Sequence, residues 1–181
     1  MTARRWNIDV SHSAIEFSVR HLMISKVRGR FSSWSGWFEL DEARPDQVQV
    51  QVRIEAASVD TREAQRDAHL RSADFLDVER FPTIEYRAGR LEPAGTDRYR
   101  LHGELTVRGC TRPVVLEVER TGQVRDPWGN DRIAFAARAS LDRKEFGVTW
   151  NMVLDAGGVV VGDRVDVEIE VEAVAAKETA S

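Results

Sequence analysis

The chain has 181 residues, 42% of them hydrophobic and 31% charged, with a formal net charge of −4. Those values suit one soluble globular domain, large enough to bury roughly 70% of its unfolded surface. Basic and acidic residues are interspersed, which argues against nucleic acid as a partner, and apolar runs such as Val159–Val161 are far too short for membrane insertion.

The N-terminal stretch MTARRWNIDVSHS carries two arginines but no apolar signal-peptide core, and a strand-like pattern begins at once. The expected compartment is therefore the cytoplasm. The single cysteine, Cys110, has no internal partner and reads as a bystander thiol in a turn. Ile15, Phe17 and Val19 alternate with Glu16, Ser18 and Arg20, which predicts a half-buried strand. Trp34 and Trp37 have opposite parity in an ideal strand, so one faces in and one out unless a bulge at Gly36 intervenes. Val48, Val50, Val52 and Ile54 then alternate with Gln47, Gln49, Gln51 and Arg53.

The stretch DTREAQRDAHLRSADFLD, residues 60–77, breaks this two-fold period. Asp60 and Glu63 stand at capping-box spacing, predicting a helix near 61–71, and Ser72 can cap a second short turn near 73–76. Ala64 and Ala68 share a face that Ala73, Phe75 and Leu76 extend, while Arg62, Arg66 and Asp67 lie opposite. Such a helix is too short and too polar to be stable alone. It is either a crossover between strands or a cap over an opening, with Phe75 and Leu76 dipping inward.

Alternation then resumes at Ile84, Tyr86 and Ala88, at Tyr99, Leu101, Leu105 and Val107, and at Val114, Leu116 and Val118. It continues through Ile133, Phe135 and Leu141 and is clearest in RVDVEIEVEA, residues 164–173. Pro, Gly, Asn and Asp punctuate the runs where turns are needed. The count is about eight strands in an all-β, antiparallel single domain spanning 1–181, with a core from about 6 to 174 and a frayed tail at 175–181. A sandwich and an up-and-down barrel both accept this pattern. A closed barrel of about eight strands can hold one small ligand. Small residues at inward parity, Ala88, Gly103, Ala137 and Ala139, leave space beside Phe17, Tyr86 and Phe135, or else fill a tapered core. Runs of about nine or ten residues at ~3.3 Å each make any such barrel elongated.

Five segments carry a resemblance: WNIDVSHSAIEFSVRHLMISKVRGRF, DTREAQRDAHLRSADFLDVERFPTIEY, GELTVRGCTRPVVLEV, DPWGNDR and LDRKEFGVTWN, in this order. Together they resemble the YceI-like polyisoprenoid-binding proteins from about Trp6 to Val174. The resemblance implies a long lipocalin-like antiparallel barrel that holds a polyprenyl chain or similar lipid, often as a homodimer, with the helix helping to close the pore. Many members of that family are exported with a signal peptide, and this N-terminus departs from them. Candidate pore-lining residues are Phe17, Val19, Phe31, Trp37, Phe75, Ile84, Tyr86, Leu101, Leu105, Phe135, Phe146, Trp150 and Met152. Candidate head-group contacts are His21, Arg66, Asp67 and His69; the helical cluster also reads as a solvated face whose ion pairs are worth under ~1 kcal/mol.

The four histidines, His12, His21, His69 and His102, show no HxH or HExxH spacing, so no metal site and no cofactor is expected. Ser11-His12-Ser13 lacks the elbow glycines of a serine hydrolase, and there is no glycine-rich phosphate loop. The reading is a non-enzymatic carrier, storage or sequestering protein for a polyisoprenoid or other long-chain amphiphile. Two alternatives stay open: a barrel enzyme acting on a lipid or quinone through His21 or His69, and a filled barrel that works through its outer surface.

Overall fold

The computed structural model describes residues 2–155 and 157–178. The elements run β1 (Arg4–Ile8), β2 (Ala14–His21), β3 (Ser25–Phe31), β4 (Trp34–Leu40), β5 (Gln49–Glu55), β6 (Val59–Asp60), α1 (Ala64–Arg71), β7 (Thr83–Pro93), β8 (Arg98–Val107), β9 (Cys110–Arg125), β10 (Asp131–Asp142) and β11 (Val161–Ala175). All neighbouring strands pair antiparallel in the order β1-β4-β5-β7-β8-β9-β10-β11, and β11 pairs back on β1 to close a barrel. A sheet closed in this way has no free edge along the ring. The strands β2, β3 and β6 are additional. β2 continues along the same edge of β11 that β1 occupies, with Trp6 opposite Ala175 and Val19 opposite Val165.

The two-fold alternation reads directly into this geometry. Ile133 and Ala173 are directly opposite in β10 and β11 and are almost wholly buried. At this end Trp6 stacks on Phe38 (6.2 Å between centroids), and Phe38 meets Phe135 edge-on at 5.8 Å. These rings plug one end of the barrel. Pairing does not fray at 175: Ala175 is opposite Trp6, and the Ala176 amide donates to the Arg5 carbonyl at 2.8 Å. The rest of the expected frayed tail includes 179–181, which lie outside the described residues.

The closed ring has the expected eight strands, and β2, β3 and β6 bring the sheet to 11. Two other structural expectations need correction. The helix starts later than the expected capping box allowed. Arg62 has φ +65°, so the chain turns before Glu63, which becomes the N-cap; its carboxylate accepts from the Gln65 and Arg66 amides (3.1 and 2.6 Å). Asp60 instead ends β6 and accepts from the Arg62 amide at 2.9 Å. Residues 73–76 form consecutive turns rather than a helical turn, with the Phe75 and Asp77 amides both donating to the Ser72 carbonyl.

Of the small inward positions, Gly103 is filled by a neighbour. The buried Tyr86 ring lies across it, and the Tyr86 hydroxyl donates to the Val114 carbonyl at 2.9 Å. Burial pushes this phenol pKa up from its ordinary value. A Cβ at Gly103 would stand 2.6 Å from the Tyr86 hydroxyl and from the Arg87 carbonyl oxygen, so one backbone atom and one bonded hydroxyl would both have to move. Gly103→Ala should therefore cost about 2–3 kcal/mol, the upper part of the overpacking range. Urea denaturation checks this; an unchanged midpoint would contradict the packing described.

Candidate functional site

Between the aromatic plug and α1 the barrel is hollow. The cavity measures about 480 Å³. Its wall is built by inward side chains of successive strands, which is why Phe17, Val19, Phe135, Ala137 and Leu141 are only half-buried although they point into the barrel. A filled core would have buried them completely.

The expected lining residues Phe17, Val19, Phe31, Phe75, Ile84, Tyr86, Leu101, Leu105, Phe135, Phe146 and Trp150 all face this cavity. Trp37 and Met152 do not. β4 pairs with β5 without a register shift, so no bulge rescues the parity of Trp37. Trp34 faces in, and Trp37 lies outside under the Arg5 guanidinium, 4.0 Å from its ring centroid. Met152 sits in the loop after Trp150 and is exposed to solvent. The two rings divide as parity requires, with Trp34 rather than the expected Trp37 as the inward member.

The end opposite the plug is the mouth. His21, Arg66, His69, Trp150 and Val160 line the cavity there. The His69 ring meets Phe75 edge-on at 4.9 Å and Trp150 at 4.7 Å, and Phe75 lies 5.4 Å from Trp150. His69 Nε2 pairs with the Asp74 carboxylate at 2.8 Å. The Arg108 guanidinium donates to the Ala73 and Phe75 carbonyls, each at 2.6 Å, and holds the turn that carries Phe75. α1 is therefore pinned over the opening by aromatic contacts. Phe75→Ala should cost about 3 kcal/mol, as for a buried core phenylalanine, and Phe75→Asp more. Melting of both variants tests this; parental melting would make the segment a mere connector.

Among the expected head-group residues, His21, Arg66 and His69 face the cavity and Asp67 does not. Asp67 is buried, and one of its oxygens accepts from the Thr61 amide (2.9 Å) and the Thr61 hydroxyl (2.5 Å), fixing the chain entering α1. Arg66 donates to the same Thr61 through its hydroxyl and carbonyl, both at 2.7 Å. Sequence reading missed Arg143. It reads as a surface charge but is buried at the mouth, where it donates to the Val148 and Trp150 carbonyls at 2.8 and 2.9 Å. Burial pushes its pKa down from the ordinary value, opposed by Asp163 and Asp142.

Elsewhere, Asp9, His12 and Glu172 come within 4.8 Å of one another at the plugged end. The Arg132 guanidinium already serves this cluster, donating to Asp9 at 3.2 Å and Glu172 at 2.8 Å, so the position a cation would take is held by a side chain. Hydrogen bonds from Ser11 and His12 and the Arg132 charge hold the Asp9 carboxyl well below the usual carboxylate range. His12 and His102 pair with Asp9 and Glu92 and do not line the cavity. Among the described residues no helix is long and apolar enough to cross a membrane.

What the cavity can do is solvate hydrocarbon. The comparisons agree with this geometry. A UPF0312 protein of Vibrio cholerae is 35% identical over 164 residues, covering 91% of this chain and 82% of its own. A UPF0312 protein of Pseudomonas aeruginosa is 40% identical over 141 residues, covering 78% and 73%. Among solved structures, the YceI protein of Campylobacter jejuni superposes with a TM-score of 0.73 at 28% identity, over 87% of this chain and 90% of that one. BcnA of Burkholderia cenocepacia gives a TM-score of 0.80 at 21% identity over 91% and 98%. A polyisoprenoid-binding domain of Saccharophagus degradans gives 0.69 at 15% identity over 94% and 98%. The last two likenesses show a shared fold. The YceI-like domain model matches residues 6–173, and on that match the chain belongs to the YceI-like family.

Proposed function

We propose that the barrel binds a polyisoprenoid or similar long-chain amphiphile in its cavity and serves as a carrier, storage or sequestering protein. The observation that carries this reading is the hollow, apolar interior of about 480 Å³, plugged by Trp6 and Phe38 at one end and covered by α1 at the other. Each methylene transferred from water into such a wall is worth ~0.8 kcal/mol. A chain of a few isoprene units can thus offset the cost of ordering itself and of losing its translational freedom. Of the polar residues that line the cavity, His21, Arg66, His69 and Arg143 stand at the mouth, which suits an amphiphile lying tail-first with its head outward. The name of the Saccharophagus degradans neighbour supports the choice of an isoprenoid tail.

A series of prenyl alcohols of increasing length tests the reading by titration of tryptophan fluorescence, since Trp34 and Trp150 face the cavity. Affinity should rise with each added isoprene unit until the cavity is full, then level off. A flat series would contradict the reading. Sizing of the loaded protein would report at the same time whether the homodimer implied by family resemblance forms.

A further inference from the structure

At the mouth of the barrel two loops meet. The β2–β3 hairpin turns through Leu22–Ile24, and residues 151–155 and 157–160 lie beside it. The Leu22 amide donates to the Val160 carbonyl at 2.9 Å, the Val160 amide donates to the Met152 carbonyl at 3.0 Å, and Val153 bridges Val159. The Met23 thioether packs over Gly158 so closely that a Cβ there has no room. The outward side chains of this tip are apolar and exposed: Ile24 81%, Val153 78%, Met23 63% and Met152 58%. Leu22 and Met23 both have positive φ, 52° and 63°, in a hairpin position where glycine or asparagine is the usual solution. Two bulky side chains held that way, next to solvent, make no sense as a simple turn. An exposed apolar cluster of this kind marks a contact surface.

Cations flank the tip. Arg20 and Lys26 are directly opposite each other on the hairpin, Arg20 also bordering the cavity, and Arg28 follows Lys26 on the same face of β3. Like charges directly opposite are destabilising, and among the described residues none of the three makes an ion pair. The neighbouring Lys144 and Arg164, by contrast, are neutralised by Asp163 and Asp166. Asp155 is the single acid in the two loops. The tip is also continuous with the cavity, because His21, Trp150 and Val160, the immediate neighbours of its residues, line it.

We propose that this tip seats the barrel on an anionic phospholipid bilayer. Met23, Ile24, Met152 and Val153 enter the headgroup region, while Arg20, Lys26 and Arg28 face lipid phosphates. The mouth then opens onto the membrane, and an amphiphile can slide between bilayer and cavity without crossing water. The docking surface stands on the exposed tip and its charges; the purpose assigned to it rests on the lipid-binding reading above.

Flotation with phosphatidylcholine vesicles, with and without phosphatidylglycerol, tests it. The protein should float with the vesicles that contain phosphatidylglycerol and be released by salt. Lys26→Ala should weaken partitioning about fivefold, the worth of one basic residue near an anionic surface. The double variant Ile24→Asp, Val153→Asp should lose flotation with melting unchanged, since both side chains are exposed. Uptake of a prenyl alcohol from detergent micelles should be the same in that variant as in the parent. A parent that takes up the alcohol but never floats would overturn docking and leave the cavity reading intact. A parent that floats but takes up no alcohol would leave docking standing and overturn the cavity reading. Equal flotation of parent and double variant, or a tip whose mutation changes only the oligomeric state, would overturn docking as well.

Discussion

Arg143→Met should lower the melting temperature by about 10 °C and abolish uptake of a long-chain ligand. The residue is 6% exposed, and its guanidinium is the hub of the mouth. Nε donates to the Gly162 carbonyl at 2.8 Å, Nη1 to the Val148 and Trp150 carbonyls, and Nη2 to the Val161 carbonyl at 3.3 Å, with Asp163 at 3.7 Å as counter-ion. It thereby ties the loop after β10 to the start of β11 and sets the backbone that aims Trp150 at His69 and Phe75. Methionine matches the stem but removes the guanidinium donor from the Gly162, Val148 and Trp150 carbonyls; Val161 keeps the Asn151 amide at 2.7 Å. Removing one member of a buried, hydrogen-bonded charge network costs about 3–5 kcal/mol, and each kcal/mol is worth about 2–4 °C in a domain of this size. Arg143→Lys keeps the charge but has a single point of donation instead of a fork, so it should fall between the two. A methionine variant that melts with the parent would show that the loop is held by something else.

Ala137→Trp should empty the protein of ligand while leaving its fold nearly untouched. Ala137 faces the cavity from β10, opposite Ile169 of β11 and Val118 of β9, and is only half-buried. An indole there projects into open volume beside Phe17 and Phe135. In a packed core the same change would force rotamers and backbone apart at about 1–3 kcal/mol. In a hollow one the ring buries apolar surface, so the ligand-free melting temperature should shift by no more than a few degrees. Extractable lipid per chain should collapse. Ala139→Trp, one step along the same face, should behave alike. A large loss of stability with lipid content unchanged would mean that the interior is filled.

How much of this was legible in the sequence follows from the physics of each element. β9, β10 and β11 alternate cleanly because one face is wet and the other faces the barrel, so parity alone picks out inward residues such as Leu116, Phe135 and Val167. β3 and β4 hide that signal. In β3 the inward series is Val27, Gly29 and Phe31, with a glycine where the Phe17 ring lies against the strand. In β4, Trp34, Trp37 and Phe38 put bulky apolar groups on both faces, because Trp37 is covered from outside by Arg5. The capping pair misled for a local reason, the left-handed turn at Arg62 that delays the helix by three residues and passes the cap to Glu63. Asp67 and Arg143 show the deeper limit. Both are charged residues whose burial depends on long-range packing, and no local pattern distinguishes a buried carboxylate holding Thr61, or a buried guanidinium holding a loop, from an ordinary solvated side chain. The hollow interior itself was legible only as small residues at inward parity; of these, Ala137 and Ala139 border the void, while Gly103 accommodates Tyr86.

On the proposed function, the cavity holds one long amphiphile. Native mass spectrometry of the protein purified without detergent, followed by solvent extraction, addresses it most directly. The expected spectrum shows the chain carrying a single additional mass per barrel, released on extraction as a hydrocarbon-rich amphiphile and missing from Ala137→Trp. A parent that is ligand-free as purified, and stays ligand-free after incubation with prenyl alcohols, would contradict the claim.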